Sequence, residues 1–124
     1  MKPGTQTTGL LQSFGYALEG IAATARTRNF RIQLAIGVLA CMLGAVFHIS
    51  IVEWLIVIVC IGAVLSGECM NTALEALVDV ASPDIHPLAK RAKDAAAGSV
   101  LIASIASFII GVIIFLPRLL EVIL

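Results

Sequence analysis

The sequence predicts an all-α integral membrane protein, with three transmembrane helices preceded by an amphipathic surface helix in a single domain. Three observations lead there. Of 124 residues, 60% are hydrophobic and 13% charged, with mean hydropathy +1.05, whereas soluble domains carry about 25% charged residues. Two uncharged runs, Ile32–Val52 (21 residues) and Ala95–Pro117 (23 residues), are each long enough to cross a bilayer. Lys and Arg are also unevenly placed, as shown below. The formal net charge is zero, so electrostatics give no reason to expect a nucleic-acid partner.

Residues Met1 to Thr8 are polar and no apolar h-region follows, which predicts insertion through internal spans rather than a cleaved leader. Leu10, Leu11, Phe14, Leu18, Ile21 and Ala25 then recur at helical spacing. They predict an amphipathic helix over 8–28, lying in the interface or packed against the spans. The first span is placed at 31–49. The second, 52–81, is unusual: Trp54–Gly67 is apolar for only 14 residues, then continues into Glu68–Asp79 without Pro or Gly. Ser82-Pro83 is expected to stop it. A polar loop is predicted over 82–94 and the third span over 95–117.

Lys2, Arg26, Arg28 and Arg31 precede the first span, and Lys90, Arg91 and Lys93 lie between the second and third; only Arg118 follows the third. This asymmetry puts the N-terminus and the 82–94 loop on the cytoplasmic side of a cell membrane. Cys41, Cys60 and Cys69 sit in apolar stretches with no disulfide or metal spacing and are read as packing residues.

The second helix carries the informative pattern. With Glu68 at zero and about 100° per residue, Asn71 falls near 300°, Glu75 near 340° and Asp79 near 20°. Three carboxylates and an amide thus share one stripe, opposite an apolar face of Cys69, Leu74, Leu77 and Val78. Charged groups at membrane depth are costly and usually functional. Oxygen ligands of this kind suit Mg²⁺, and a carboxylate at the apolar end can take a proton from a lipid alcohol. The same stripe also suits a polar seam between helices or an ion path. His86, Lys90, Arg91, Lys93 and Asp94 follow closely; they supply cations for a phosphate, or serve only to anchor the membrane orientation. Metal ligand, cation and oriented hydroxyl are the needs of phosphoryl transfer, and no GxxxxGK[ST] phosphate loop is present.

Glu68-Cys69-Met70-Asn71-Thr72-Ala73-Leu74-Glu75-Ala76-Leu77-Val78-Asp79, followed by His86-Pro87-Leu88-Ala89-Lys90-Arg91-Ala92-Lys93-Asp94, closely resembles the prokaryotic diacylglycerol kinase family. The His48–Trp54 link, the His86-Pro87-Leu88 segment and the closing Ile109–Pro117 segment resemble its Gram-positive branch of undecaprenol kinases. The resemblance implies a homotrimeric helical bundle and a lipid kinase that uses ATP and Mg²⁺, with undecaprenol as acceptor and diacylglycerol as the alternative. It implies that Glu68 is the catalytic base on the lipid hydroxyl and that Ala97 also contacts the lipid. Glu75 becomes a Mg²⁺ ligand within the ATP site, and Asn71, Lys93 and Asp94 surround the phosphates. Tyr16, Asp84, Ile85 and His86 lie toward the nucleoside. One position departs from the family pattern. Ahead of Asn29-Phe30 the family carries a metal-binding Glu, where this chain has Thr27-Arg28. Glu19 lies about 12 Å away along a helix. A catalytically impaired or non-catalytic membrane scaffold of the same fold is the competing class.

Overall fold

The computed structural model describes residues 9–124. It contains four helices: α1 (Leu10–Thr24), α2 (Arg28–Val46), α3 (Ile51–Ala81) and α4 (Pro87–Ile123). The polar lead Met1–Thr8, including Lys2 and the first position expected for the surface helix, lies outside the described residues.

The expected helix over 8–28 is divided, because threonine hydroxyls compete for the backbone. Thr24 Oγ1 donates to the Gly20 carbonyl (2.9 Å) and Thr27 Oγ1 to the Thr24 carbonyl (2.7 Å). Thr27 Oγ1 then accepts from the Phe30 N–H at 3.4 Å as the N-cap of α2. Capping by a Thr in extended backbone starts a new helix here, so α2 begins at Arg28 rather than at residue 31.

At its other end α2 stops at Val46 instead of residue 49. His48 adopts φ 52°, and the Ile49 N–H closes back on the Gly44 carbonyl at 3.2 Å, the left-handed closure common at helix C-termini. Ser50 and Glu53 form a reciprocal capping box. The Glu53 N–H donates to Ser50 Oγ (3.2 Å), and the Ser50 N–H donates to Glu53 Oε1 (2.9 Å). The four orphan donors of a helix start are thereby partly satisfied.

α3 spans 31 residues, about 46 Å at 1.5 Å per residue. That is roughly half as long again as a hydrocarbon core of about 30 Å, so its Ala81 end stands clear of the apolar layer. The polar loop expected over 82–94 contracts to residues 82–86. Pro87 occupies the first turn of α4, where its missing N–H costs nothing, and His86 caps the helix, with Nδ1 accepting from the Leu88 N–H at 3.1 Å. α4 also passes through Pro117, the last residue of the span placed at 95–117, and continues to Ile123. Arg118 supports that last turn: Nη1 donates to the Ile114 carbonyl (2.6 Å), and the guanidinium grips both oxygens of Glu53 at 2.8 and 2.9 Å.

α3 is the central element. α4 lies along it, α2 flanks it, α1 rests against it, and α2 touches α4 only sparsely. A small core of Ile49, Val57, Ile114 and Phe115 sits at the Arg118 end, with Trp54 packed on it. Trp54 requires a glycine opposite, since a Cβ on Gly44 would meet its ring at 2.8 Å. Elsewhere, large apolar side chains such as Leu39, Met42, Val59, Ile102 and Phe108 face outward. Among the described residues three helices are long and apolar enough to cross a membrane, and hydrocarbon is the solvent that makes such a surface stable.

The left-handed backbone at His48 is sterically costly for a residue with a Cβ. His48→Gly should therefore stabilise the fold by ~0.5–1 kcal/mol, after allowing for glycine's extra freedom when unfolded. Thermal unfolding in detergent micelles checks this.

Candidate functional site

The polar stripe of α3 continues the helix's apolar packing stripe. Val57, Val64, Glu68 and Asn71 are the buried residues of this helix, spaced three to seven apart and therefore on one face. Below Val64 that face packs apolar side chains. Above it, the same face presents a carboxylate and an amide. Glu68 is 3% exposed and Asn71 9% exposed, while Glu75 and Asp79 have turned out into the open.

The stripe thus divides into two environments. The inner one is a pocket of about 260 Å³ lined by Glu68 and Asn71 from α3, Asn29, Ile32 and Gln33 from α2, and Ala97, Val100, Leu101 and Ser104 from α4. Among the described residues, the Glu68 carboxylate makes no hydrogen bond, and Asn71 Oδ1 is buried without a partner. A buried acceptor left open in this way costs about 1–3 kcal/mol, and Asn71 is one of the residues that line the pocket. Asn71 Nδ2 meanwhile reaches Glu75 Oε1 at 3.4 Å, which links the inner and outer groups.

The outer environment is charged. Lys93 Nζ lies 2.5 Å from Asp79 Oδ1, joining the first turns of α4 to the end of α3. Lys90 Nζ lies 2.6 Å from Asp94 Oδ2, one turn further along the same helix. Both lysines precede the uncharged run of α4. Hydrogen bonding to Asp79 raises the Lys93 ammonium above the ordinary lysine range, and hydrogen bonding to Asp94 does the same for Lys90. His86 is committed to its cap, Ile85 is fully exposed and Asp84 exposed. Tyr16 is half-buried on α1, which packs against α3.

Glu68, Asn71 and Ala97 are therefore brought into one pocket. Lys93, Asp94, Glu75, Tyr16, Asp84, Ile85 and His86 do not line it; Glu75 is tied to it through Asn71, and Lys93 meets α3 at Asp79. Sequence reasoning missed Gln33, Asn29 and Ser104. Gln33 was signalled as the one amide in the uncharged run Ile32–Val52, four residues after Asn29 and so on its face. Ser104 had no such signal, because small hydroxyl residues recur throughout α4.

A membrane-embedded carboxylate that lines a pocket with two amides, with lysines paired to carboxylates beyond it, fits a membrane enzyme working at the boundary between lipid and water. The comparisons give it a family. Residues 15–115 match the model of prokaryotic diacylglycerol kinase, and the chain belongs to that family of lipid kinases, which use ATP. It is 47% identical to an undecaprenol kinase of Bacillus subtilis, over 87% of this chain and 89% of the relative. It is 41% identical to a diacylglycerol kinase of Synechocystis, over 90% of this chain and 65% of that protein. With the diacylglycerol kinase of Escherichia coli the figures are 30% identity, 82% and 84%.

A lone buried carboxylate without a counter-ion burdens the fold. Glu68→Leu is expected to raise stability by ~1–3 kcal/mol, read as a higher midpoint of thermal unfolding in micelles. A fall in the midpoint would show that Glu68 is held by interactions that support the fold.

Proposed function

We propose that the protein transfers the γ-phosphoryl group of ATP to the hydroxyl of undecaprenol at the cytoplasmic surface of the bacterial cell membrane, with its N-terminus on that side. The observation that carries this reading is the buried Glu68, which lines a pocket with Asn29, Gln33 and Asn71 and is unpaired among the described residues. The 47% identity to an undecaprenol kinase over most of both chains supports this acceptor; relatives named diacylglycerol kinase support diacylglycerol as the second reading.

In this reading Glu68 is the general base. It takes the proton of the lipid hydroxyl as that oxygen bonds to the γ-phosphorus, and the bond from phosphorus to the β–γ bridging oxygen breaks to release ADP. Asn71 orients the phosphate end through its amide. Lys93 leaves Asp79 to meet the transferred group, and Asp94 lies beside it. Tyr16, Asp84, Ile85 and His86 face the nucleoside, and Ala97 leaves room for the acceptor. The seven basic residues on one side against one on the other support the orientation.

Magnesium fits in a limited way. Among the described residues no group of three or more His, Cys, Asp or Glu side chains could hold an ion. Mg²⁺ commonly takes one or two carboxylates together with substrate phosphates and water, and Glu75, an exposed carboxylate next to Asn71, would serve as one. The bound ion would neutralise charge on the phosphate oxygens. Thr27, where the family pattern has a second carboxylate, is occupied in capping α2. Assembly as a homotrimer belongs to the same proposal; the outward apolar faces of α2, α3 and α4 give it surface to use.

The test is transfer from γ-labelled ATP to undecaprenol and to dioleoylglycerol in parallel, in mixed micelles with Mg²⁺. Transfer to undecaprenol is expected to dominate; transfer to neither, from folded protein, would overturn the proposal. Glu68→Gln should lower turnover by at least ~100-fold with assembly intact. Thr27→Glu should lower the Mg²⁺ concentration giving half-maximal transfer, at the expense of about 1 kcal/mol of helix capping.

A further inference from the structure

The pocket around Glu68 has two different ends. Toward the middle of the membrane it is spanned by a hydrogen bond, with Gln33 Nε2 donating to Ser104 Oγ at 3.1 Å. Past that bond the space between α2 and α4 is lined almost wholly by apolar side chains, which cannot solvate a polyanion. A nucleotide phosphate therefore approaches Glu68 from the opposite end. The lining residues there are Asn29 near the start of α2, Asn71 toward the Ala81 end of α3 and Ala97 toward the start of α4.

The helices that form this entrance carry unequal charge. From Glu68 outward, α3 brings Glu75 and Asp79. α4 brings Asp94 with Lys90 and Lys93, and both lysines are already paired, to Asp94 and Asp79. Four carboxylates thus stand against two lysines before a nucleotide adds its own negative charge. α2 supplies the opposite sign. It opens with Arg28, has Arg31 three residues on, and carries no acidic residue in its first turn. Arg31 Nε turns back to the Ala25 carbonyl at 3.0 Å, and its position falls about 100° round the helix from Ile32, away from the pocket-lining face. Arg28 differs. It precedes Ile32 by one turn, at about 40°, and adjoins Asn29; both neighbours line the pocket. Arg28 is exposed, and among the described residues its side chain makes no ion pair and no hydrogen bond.

The fold gains little from this side chain. A cation in the first turn of a helix opposes the helix dipole, which is positive at that end, and a local conflict of this kind points to a functional role. Membrane orientation calls for basic residues on this side, but Lys2, Arg26, Arg31, Lys90, Arg91 and Lys93 also supply them.

We infer that Arg28 binds the γ-phosphate of ATP, its guanidinium donating to two terminal oxygens from the α2 side of the entrance. This rests on the lipid-kinase reading above and adds a phosphate-binding residue to it. A planar guanidinium suits two oxygens at once. Arg28 meets from α2 the charge that Lys93 meets from α4, so the terminal phosphate is held between the two helices on its way to the acceptor beside Glu68. ADP lacks that phosphate and loses the contact altogether.

The experiment measures equilibrium binding of Mg-ATP and Mg-ADP, without acceptor, to the purified protein in micelles, for wild type, Arg28→Gln and Arg28→Lys. Arg28→Gln should raise Kd for ATP about tenfold and Kd for ADP by less than about twofold. Arg28→Lys keeps the charge that serves membrane orientation. It should raise Kd for ATP about threefold, because an ammonium cannot present the planar fork. A glutamine variant that loses ATP and ADP equally, or neither, overturns the proposal; so does a lysine variant that binds ATP as the wild type does. Should the glutamine variant fail to fold, the lysine variant decides by the same comparison of ATP with ADP. If the wild type binds neither nucleotide, it is the lipid-kinase reading that fails.

Discussion

The structure depends on one constraint: a carboxylate, Glu68, buried on the same helix face that packs the bundle together. A chain that places such a group at the boundary of hydrocarbon must enclose it, because exposure to lipid costs several kcal/mol. Residues around it follow from that need. Asn29 and Gln33 come from α2 and Ser104 from α4, so that polar side chains share the pocket with the apolar Ile32, Val100 and Leu101. α3 has to be long, since it carries apolar packing residues through the bilayer and acidic residues beyond it on a single rigid rod. Function and packing share one stripe, and the helix register ties them together.

Two kinds of helix ends then set where the charges sit. Thr27 and His86 cap α2 and α4 through side-chain acceptors, and both caps lie at the Glu68 end of the bundle. Capping by Thr27 fixes the entry of α2, so that Asn29 and Gln33 point at the pocket. Starting α4 at Pro87 brings Lys90, Lys93 and Asp94 into helical order well before the uncharged run. Lys93 can then face Asp79 across to α3, and Lys90 can face Asp94 along its own helix. Exposed pairs of this kind contribute at most about 1 kcal/mol each, which leaves them easy to exchange for a phosphate.

Much of this was legible in the chain. Uncharged run length gives the spans, and a helical wheel gives the shared face of Glu68, Asn71, Glu75 and Asp79. Those readings need only the geometry of one helix. What was not legible depends on two. Gln33 and Ser104 are 71 positions apart in sequence, and no local periodicity pairs them. The helix boundaries were misjudged for a different reason, which is that they turn on single side-chain acceptors. Thr27 could have continued a helix by propensity alone, and His86-Pro87 reads as loop until the imidazole is seen to accept from Leu88. The continuation past Pro117 likewise required Arg118 to find Glu53, 65 residues away.

The two ends of the bundle are fastened with unequal strength, and this bears on access to the site. At the Arg118 end, a guanidinium holds both oxygens of a half-buried carboxylate, the capping box fixes that carboxylate from the other side, and the main apolar core packs beneath. Charge-assisted bidentate bonds of this sort are about twice as strong as neutral ones. At the Glu68 end, α2 and α4 are joined by one neutral hydrogen bond over an open cleft. A separation of α2 from α4 at the Glu68 end has to break that one hydrogen bond and leaves the α3–α4 clamp untouched. A lipid arriving laterally from the bilayer meets its least resistance at the mouth beside the carboxylate. The opposite clamp keeps α3 and α4 in register while that mouth opens, so the pocket can admit an acceptor without loss of the helix alignment that aims Glu68 at it.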